Sequence, residues 1–300
     1  STLMETQVDP AGGYLPVPEI SAQMVARLWD TSPIRRLARI QPMATGTSWV
    51  EPVDRGEAGA EWVGENQARP PLDTPVLSAN ETPLNEIAAT QSVSQKLLDL
   101  SFVDIGAWLT AKIADKFARS EATAFVTGDG VNKPMGILSY PIVSTADASR
   151  PNGKLQYVAG GQASTVDADS LRSIYWGLRA PYRSNATWLM SSATASAIDK
   201  LKASGSGDYL WRPAVSSTEP PTLLGRPVEF SEDMPAIGAG NYPILFGDFK
   251  RGYLVVERPG LKLLRDPYTS KPSVVFYAYR RVGGGLADCD AIKVLKVATS

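Results

Sequence analysis

The side chains that most often perform acid–base and nucleophilic chemistry are scarce in this 300-residue chain. It contains no histidine, which excludes a Ser-His-Asp triad, a Cys-His pair and any imidazole ligand for zinc or iron. Its single cysteine, Cys289, lies between Asp288 and Asp290, and two neighbouring negative charges disfavour a reactive thiolate. We therefore interpret Cys289 as an inert small residue beside a strand, and a single thiol forms no intrachain disulfide.

Three other motifs are similar to functional sites, but each fits a structural role better. The run from Gly128 to Lys133 looks like a phosphate-binding loop, yet it follows a predicted helix, whose C-terminus carries the wrong sign for phosphate. Glu232 and Asp233 adjoin a turn, and no pattern holds them across a cleft as a glycosidase requires. Asp288 and Asp290 have oxygen ligands for a divalent cation, but two carboxylates at a strand start are a weak signal. No Gly-x-Ser-x-Gly motif is present, so we predict no catalytic residue, no metal site and no cofactor.

Composition narrows the class of protein. An apolar content of 43% is enough to bury the core of one large or two modest domains. The net charge of −1 is not the basic excess of a typical nucleic-acid-binding domain. No apolar stretch approaches the roughly 20 residues of a membrane span, and no signal peptide is recognisable. We therefore expect no membrane partner.

The clearest element is a long helix at the centre of the sequence. We predict that it begins at Ser101 in a capping-box-like motif with Asp104, and that Thr127-Gly128 ends it. About 26 residues correspond to a rod of roughly 39 Å. Its apolar stripe recurs every four residues at Ile105, Leu109, Ile113 and Phe117, and is widened by Trp108, Ala114, Ala118 and Phe125.

The segments before this helix are less regular. Residues 1–32, rich in proline and glycine at 11–18, indicate an arm. Residues 46–86 indicate a long two-stranded flap, with one strand at Trp49–Val53 and the return strand at Ile87–Val93. Because an isolated hairpin is marginal in water, we expect the flap to pack on a neighbouring subunit.

The segments after the helix alternate short strands and helices. Residues 138–248 indicate a compact mixed unit, with a helix capped by Asp167 or Asp169, a buried strand at Thr187–Met190 and a second helix at Ser192–Ala203. Strands then follow at 252–257, 261–265, 273–285 and 291–297. The whole pattern indicates the α+β class. Near the start, Arg35, Arg36 and Arg39 are interpreted as salt-bridge partners or a solvated face in preference to a phosphate site.

Charge predicts which surfaces meet between subunits. Residues 56–90 contain six acids and one base, whereas residues 250–300 contain ten bases and four acids. Opposite charges of −5 and +6 favour an oriented contact between copies, although both faces being merely solvated is the alternative. The candidate contact residues are Glu57, Glu61, Trp62, Glu65 and Arg69 on the flap, and Arg251, Arg258, Lys262, Arg280 and Arg281 in the C-terminal region.

The order of parts resembles the major capsid proteins of tailed bacteriophages, which have the HK97-like fold. Capsids of proteobacterial prophages and of gene transfer agents look especially similar. Five motifs carry the resemblance in order along most of the chain: Gly12-Gly13-Tyr14-Leu15-Pro16, Val93 to Ser101, Phe125-Val126-Thr127-Gly128-Asp129-Gly130 through Leu138, Leu224-Gly225-Arg226-Pro227-Val228, and Leu245-Phe246-Gly247-Asp248-Phe249.

This resemblance implies a domain organisation. Residues 1–32 would be the N-terminal arm and 46–86 the extended loop over an adjacent subunit. Residues 33–45, 87–137 and 249–285 would form the peripheral domain, with the long helix as its spine. Residues 138–248 and 286–300 would form the axial domain around each capsomer centre.

The resemblance also implies a function. We expect a shell protein that assembles in the bacterial cytoplasm into pentamers and hexamers, encloses double-stranded DNA without sequence specificity, and meets portal and head-completion proteins in the virion. The family often removes an N-terminal scaffolding segment, which would explain a mature chain beginning at Ser1. Its founding member crosslinks the loop through a lysine–asparagine isopeptide bond, but the first lysine here is Lys96, so we predict a noncovalent lattice.

Two other function classes stay open at this point. An encapsulin-type nanocompartment shares the fold but holds protein cargo, and a neighbouring ferritin-like or peroxidase gene would favour it over portal and terminase genes. An enzyme of unknown chemistry is the remote alternative, because the chain has no histidine and no completed catalytic motif.

Overall fold

Two large β-sheets and one long helix organise the protein. The computed structural model describes residues 33–54, 77–96, 104–202, 211 and 221–299. The helices are α1 (Ile34–Leu37), α2 (Ile105–Thr127), α3 (Ala168–Gly177), α4 (Ala180–Arg183), α5 (Ser192–Asp199) and α6 (Phe249–Gly252), with a 3₁₀ turn at Ile137–Ser139. The strands are β1 (Arg39–Pro42), β2 (Ser48–Asp54), β3 (Leu77–Pro83), β4 (Asn85–Ser94), β5 (Ile142–Val143), β6 (Leu155–Ala159), β7 (Thr187–Met190), β8 (Thr222–Leu223), β9 (Arg226–Phe230), β10 (Ile244–Gly247), β11 (Tyr253–Glu257), β12 (Lys262–Asp266), β13 (Ser273–Leu286) and β14 (Ile292–Lys296).

The long strand β13 is the centre of the first sheet. Its residues Val275–Tyr279 pair with β12 on one side and with β4 on the other. Further along, β13 pairs with β11, which in turn carries β1 in parallel. Burial alternates along β13, because Val274, Phe276 and Ala278 are buried while the residues between them are only partly covered. One face of this sheet therefore packs, and the other does not.

Helix α2 supplies the packed face. Ile113 and Phe117 from the predicted stripe are buried in one cluster with Ala278, which confirms the helix and its orientation. The predicted start was wrong by three residues, because Asp104 and not Ser101 is the N-cap, accepting a hydrogen bond from Ala107 N at 2.9 Å. Aspartate and serine cap equally well, so the first turn alone does not choose between them. The helix has 23 residues and spans roughly 35 Å.

The flap begins as a hairpin of β2 and β3, which pair antiparallel from Ser48↔Pro83 to Asp54↔Leu77. The predicted return strand at Ile87–Val93 was wrong as the partner of β2, since those residues belong to β4 and pair with β13. The physical reason is that β3 has the polar sequence Leu-Ser-Ala-Asn-Glu-Thr-Pro, without the apolar alternation that marks a half-buried strand.

The second sheet has seven strands in the order β5-β6-β14-β10-β7-β9-β8. Its central strands are buried on both faces, as the predicted strand Thr187–Met190 illustrates. Of the two predicted caps, Asp167 is the N-cap of α3 and accepts a hydrogen bond from Ser170 N. The second predicted helix ends earlier than expected, at Asp199. Both edge strands have only two residues, which limits pairing with other chains.

One core joins the two sheets and the helix. It brings together residues of α2, of β11 and β13, and of the seven-stranded sheet, among them Phe125, Tyr253, Leu189, Leu245 and Val294. A second core lies on the far face of the seven-stranded sheet beneath α3 and α5. Because the first core is shared, β11 and β13 are held firmly against the second sheet. In the described ranges, no helix is long and apolar enough to cross a membrane.

Candidate assembly surfaces

The face of the first sheet that is turned away from α2 contains two of the predicted contact cations, Lys262 and Arg281. Residues directly opposite in an antiparallel pair share a face, so the pairs Lys262↔Tyr279 and Leu264↔Tyr277 lie on the face turned away from α2. Arg281, two residues beyond Tyr279, is on the same face. We call these five residues the open face. None of them belongs to a buried cluster in the described part of the chain.

The cations of the open face gather around Tyr279. The Lys262 Nζ and Arg281 guanidinium lie 5.8 and 6.0 Å from its ring centroid. Arg258 lines the same small niche, where its Nη2 donates to Gly46 O at 2.9 Å and its backbone N donates to Arg281 O at 3.0 Å. The structure thus brings Arg258, Lys262 and Arg281 together, which their positions in sequence did not require.

Arg280 points the other way, because alternate residues of a strand face opposite sides. Its guanidinium lies 3.6 Å from Glu121 of α2 and also pairs with Glu257 of β11. Arg35 of α1 completes this four-residue group by donating to Glu121 at 3.0 Å and pairing with Glu257. Of the two roles expected for Arg35, a salt-bridge partner or part of a solvated face, the structure shows the salt bridge. The group connects α1, α2, β11 and β13.

Glu121 is the most buried member of this group, with a relative exposure of 2%. Its Oε1 receives no hydrogen bond in the described part of the chain. Burial raises the pKa of the Glu121 carboxyl, and the positive charges of Arg280 and Arg35 offset only part of that rise. Removing its negative charge is therefore less costly than the number of its partners suggests.

A second buried network joins β14 to the segment between β5 and β6. Lys293 of β14 is fully buried and donates to Asp147 and Gln156. Arg150, also buried, pairs with Asp147 at 2.7 Å and with Asp290. Burial would raise the pKa of Asp147, but Lys293 and Arg150 lower it overall, whereas burial lowers the pKa of Lys293.

Arg251 lies apart from the open face, at a cleft of about 950 Å³ beside the base of the flap. Its guanidinium is 5.8 Å from the Tyr182 ring, and Tyr182 donates to Asp288 at 2.7 Å. Burial, followed by the negative charge of Asp288, raises the pKa of Tyr182. The walls of the cleft carry side chains of both charges, and Arg39 already pairs with Glu51. The charged side chains therefore neutralise one another and do not converge on a binding site for one ligand.

Comparison with known proteins decides the class. The sequence matches the model of the phage capsid family over residues 12–297. This chain belongs to that family. Two solved structures of gene transfer agent capsids, from empty and native particles computed with C5 symmetry, are 42% identical to it over 99% of this chain and 100% of theirs, with TM-scores of 0.88 and 0.90. A structure from Microbacterium phage Oxtober96, 14% identical and covering 97% of this chain and 99% of that one, shares the fold with a TM-score of 0.70. No curated protein matches the chain.

The capsid protein has the HK97-like α+β fold, and it is a structural component of a shell rather than an enzyme. It self-associates, and its place is the capsid of a particle. A nanocompartment is not favoured, because the matches at 42% identity are particle capsids. Within the described ranges, no group of three or more histidine, cysteine or acidic residues is arranged to hold a metal ion.

The motifs that looked chemical have structural roles in this capsid protein. Cys289 is buried, which fits the interpretation of an inert small residue. Asp288 accepts a hydrogen bond from the Tyr182 hydroxyl, and Asp290 accepts one from the Arg150 guanidinium. Glu232 accepts from Ser192 N at 3.1 Å, and Asp233 accepts from the Thr123 hydroxyl at 2.8 Å. The loop after α2 closes with a bridge between Asp129 and Met135, as expected of a structural turn.

The flap candidates Glu57, Glu61, Trp62, Glu65 and Arg69 lie outside the described residues. Their contacts stay predictions. Sequence reasoning missed Glu121 and Lys293, which hold the two buried networks. From the sequence alone, charged residues at these positions are expected to face solvent, because their partners are distant in sequence. Lys293 and Asp147 are 146 residues apart. The sequence does contain one signal that could have identified Lys293 as buried: a single charge in an otherwise apolar stretch, Ile292-Lys293-Val294-Leu295.

Proposed function

We propose that this capsid protein assembles into a closed, icosahedral-type shell of pentamers and hexamers around double-stranded DNA. The observation that carries the proposal is the 42% identity, over essentially the full length, to gene transfer agent capsids computed with C5 symmetry. Identical subunits in a closed shell meet in slightly different environments, and a heterologous contact must close to avoid an open sheet or tube.

The net charge of the chain bears on how the enclosed DNA is held. The net charge of −1 suits a container, because an inner wall that bound phosphates tightly would hold the DNA in a salt-dependent manner and oppose its release. We therefore propose that the DNA is enclosed without sequence readout. Portal and head-completion proteins would complete the particle, which would assemble in the bacterial cytoplasm.

The domain assignment is part of this proposal. The five-stranded sheet with α2 would be the peripheral domain, the seven-stranded sheet the axial domain, and residues 46–86 the extended loop that reaches an adjacent subunit. Two observations support it: each sheet has its own helices, and the β2–β3 hairpin forms a separate two-stranded sheet.

Electron microscopy of purified particles tests the proposal. We expect closed shells with fivefold vertices and nuclease-protected DNA whose sequences show no enriched motif. Open sheets or tubes would contradict the closed shell. Closed particles that protect protein and no DNA would contradict the cargo while leaving the shell itself intact.

A further inference from the structure

We propose that Asn80 is a positioning residue for assembly: it fixes the direction in which the β2–β3 hairpin leaves the subunit body, and through that direction the curvature of the shell. The subunit body is the two large sheets together with α2. This inference rests on the proposed function, in which the hairpin is the base of a segment that reaches an adjacent subunit. It assigns control of the hairpin's direction to three hydrogen bonds made by one side chain.

The amide of Asn80 is bonded on both its donor and its acceptor side. Its Nδ2 donates to Leu286 O at 3.3 Å and to Ala287 O at 3.2 Å, and its Oδ1 accepts from Asn152 Nδ2 at 2.6 Å. Leu286 ends β13 and belongs to the core that joins the two sheets, whereas Asn152 lies between β5 and β6. One side chain of the hairpin is therefore tied to both sheet regions of the body.

The strand that carries Asn80 lies unusually close to β13. Alternate residues of a strand share a face, so Thr82 faces the body together with Asn80, and Thr82 is buried. A Cβ at Gly283 of β13 would lie only 2.1 Å from Pro83 O. Glycine at this position is what allows the two backbones to approach. The close approach brings the Asn80 amide within reach of the carbonyls at the end of β13.

The second strand of the hairpin is fastened less directionally. Glu51 is directly opposite Asn80 and pairs with Arg39 of β1, but both partners are partly exposed, and such pairs contribute little. Trp49, directly opposite Thr82, packs against a buried cluster on β11, and apolar packing is non-directional. Hydrogen bonds to two carbonyls require a defined angle. The Asn80 bonds are therefore the contacts that define the direction of the hairpin.

A small change in this direction has a large effect at the far end of the hairpin. The ladder from Pro83 to Leu77 comprises six residue rises, or about 20 Å. A pivot of about 10° at its base displaces the far end of a rod of that length by about 3.5 Å. Interfaces between subunits are packed as densely as protein interiors, and a heterologous contact closes into a shell only at the correct rotation. Loss of the Asn80 bonds should therefore alter curvature before it alters the fold.

Hydrogen exchange in the unassembled subunit tests the clamp itself. In Asn80→Ala we expect the backbone amides of β2 and β3 to exchange at least about tenfold faster, since the hairpin opens locally, while those of β4 and β13 stay unchanged. Asn80→Asp keeps the shape but points an acceptor at two carbonyls, so it should be at least as fast. Asn152→Ala removes one bond from the body side and should give a smaller effect in the same direction.

The matched control is Ser78→Ala on the same strand. The Ser78 hydroxyl donates to Val53 O at 3.2 Å, a bond that stays within the hairpin and does not reach the body. We expect exchange from β2 and β3 in this variant to stay within about twofold of the wild type. A tenfold acceleration in Ser78→Ala as well would show that any lost hairpin contact has this effect, and it would overturn a specific role for Asn80.

Electron microscopy of assembled particles tests the link to curvature. We expect the wild type and Ser78→Ala to form closed shells of one narrow diameter. In Asn80→Ala and Asn80→Asp, the share of particles with other diameters, tubes or open sheets should rise at least about fivefold. A variant whose hairpin is merely less stable would give fewer particles, all of the wild-type diameter.

The outcomes separate the inference from the proposed function. Wild-type protein that forms no shells contradicts the proposed function. Wild-type shells together with unchanged exchange in Asn80→Ala overturn the clamp. Faster exchange with particles of the wild-type diameter, or with no particles at all, overturns the link between the clamp and curvature and leaves the proposed function intact.

Discussion

At the residue scale, buried charges join elements that are distant in sequence. Glu121 and Lys293 are each almost completely buried, yet neither has a catalytic partner. Taking a charge out of water is costly, and its partners repay that cost only in part. Burial shifts the pKa of each side chain in the direction that favours its neutral form, so the expectations for the two residues differ through the partners that a substitution leaves behind.

For Glu121, burial raises the carboxyl pKa above its ordinary value of 4.5, so folding favours the neutral form relative to the unfolded chain. We expect Glu121→Gln to change the free energy of unfolding at pH 7 by less than about 1 kcal/mol, because Arg35 and Arg280 are partly exposed and keep Glu257 as a partner. A carboxyl with a raised folded-state pKa contributes stability that is present at low pH and lost as the pH rises through that pKa. The wild type should therefore gain stability relative to the variant as the pH falls from 7 toward 4.5.

Urea unfolding of the unassembled subunit at several pH values measures this difference. Asp115→Asn, on the exposed side of the same helix and paired with Arg119 at 3.1 Å, controls for the loss of one negative charge. A wild type that loses stability relative to Glu121→Gln at low pH would show that the ion pairs, and not burial, dominate at this position.

For Lys293, the ammonium is engaged by Asp147 and Gln156 inside the seven-stranded sheet region. Lys293→Met keeps the length of the side chain but leaves Asp147 with one fewer cation. We expect the free energy of unfolding to fall by about 2–3 kcal/mol. Lys296→Met in the same strand removes a cation that lies 4.5 Å from the Tyr157 ring, and it should cost about 0.5 kcal/mol. Equal costs for the two variants would refute a stabilising role for the buried network.

At the element scale, helix α2 was predictable because its stripe is local. Ile113 and Phe117 recur with the period of a helix and meet Ala278 on the sheet. Strand β3 was not predictable, since its more buried side is formed by polar residues such as Thr82 and shows no apolar alternation. The arginines of β13 illustrate the same limit: sequence placed Arg280 and Arg281 on one docking surface, but the pleat sends them to opposite faces.

The start of α2 gives the prediction at this scale. Asp104 accepts from Ala107 N at 2.9 Å and so satisfies one of the free N–H groups of the first turn. Asp104→Ala should reduce the free energy of unfolding by about 1 kcal/mol. Asp104→Ser retains an acceptor of the right length and should recover most of that loss in the same urea experiment. If serine and alanine are equally destabilising, the cap is not what stabilises this end of the helix.

At the scale of the whole molecule, the family could be inferred from the order of short motifs, and the location of the surfaces could not. The motifs lie at turns and strand ends, and their order and spacing can be recognised from the sequence alone. The open face exists only because β12 and β4 flank β13, which brings together residues more than 150 positions apart, such as Glu86 and Arg281. The charge totals along the sequence indicated that residues 56–90 and 250–300 carry opposite charge. The pairing of the strands determines which cations of the second region lie on the open face.

The means by which copies are joined is the last prediction. An isopeptide crosslink between loop and neighbour requires a lysine amine on the loop, and residues 46–86 contain none. We predict instead that noncovalent contacts join the copies, and that denaturant separates them. Particles boiled in detergent should therefore migrate as a single band near 32.2 kDa, and particles treated first with a bifunctional amine crosslinker should show that a ladder is detectable. A ladder in the untreated sample would establish covalent joins through lysines elsewhere in the chain.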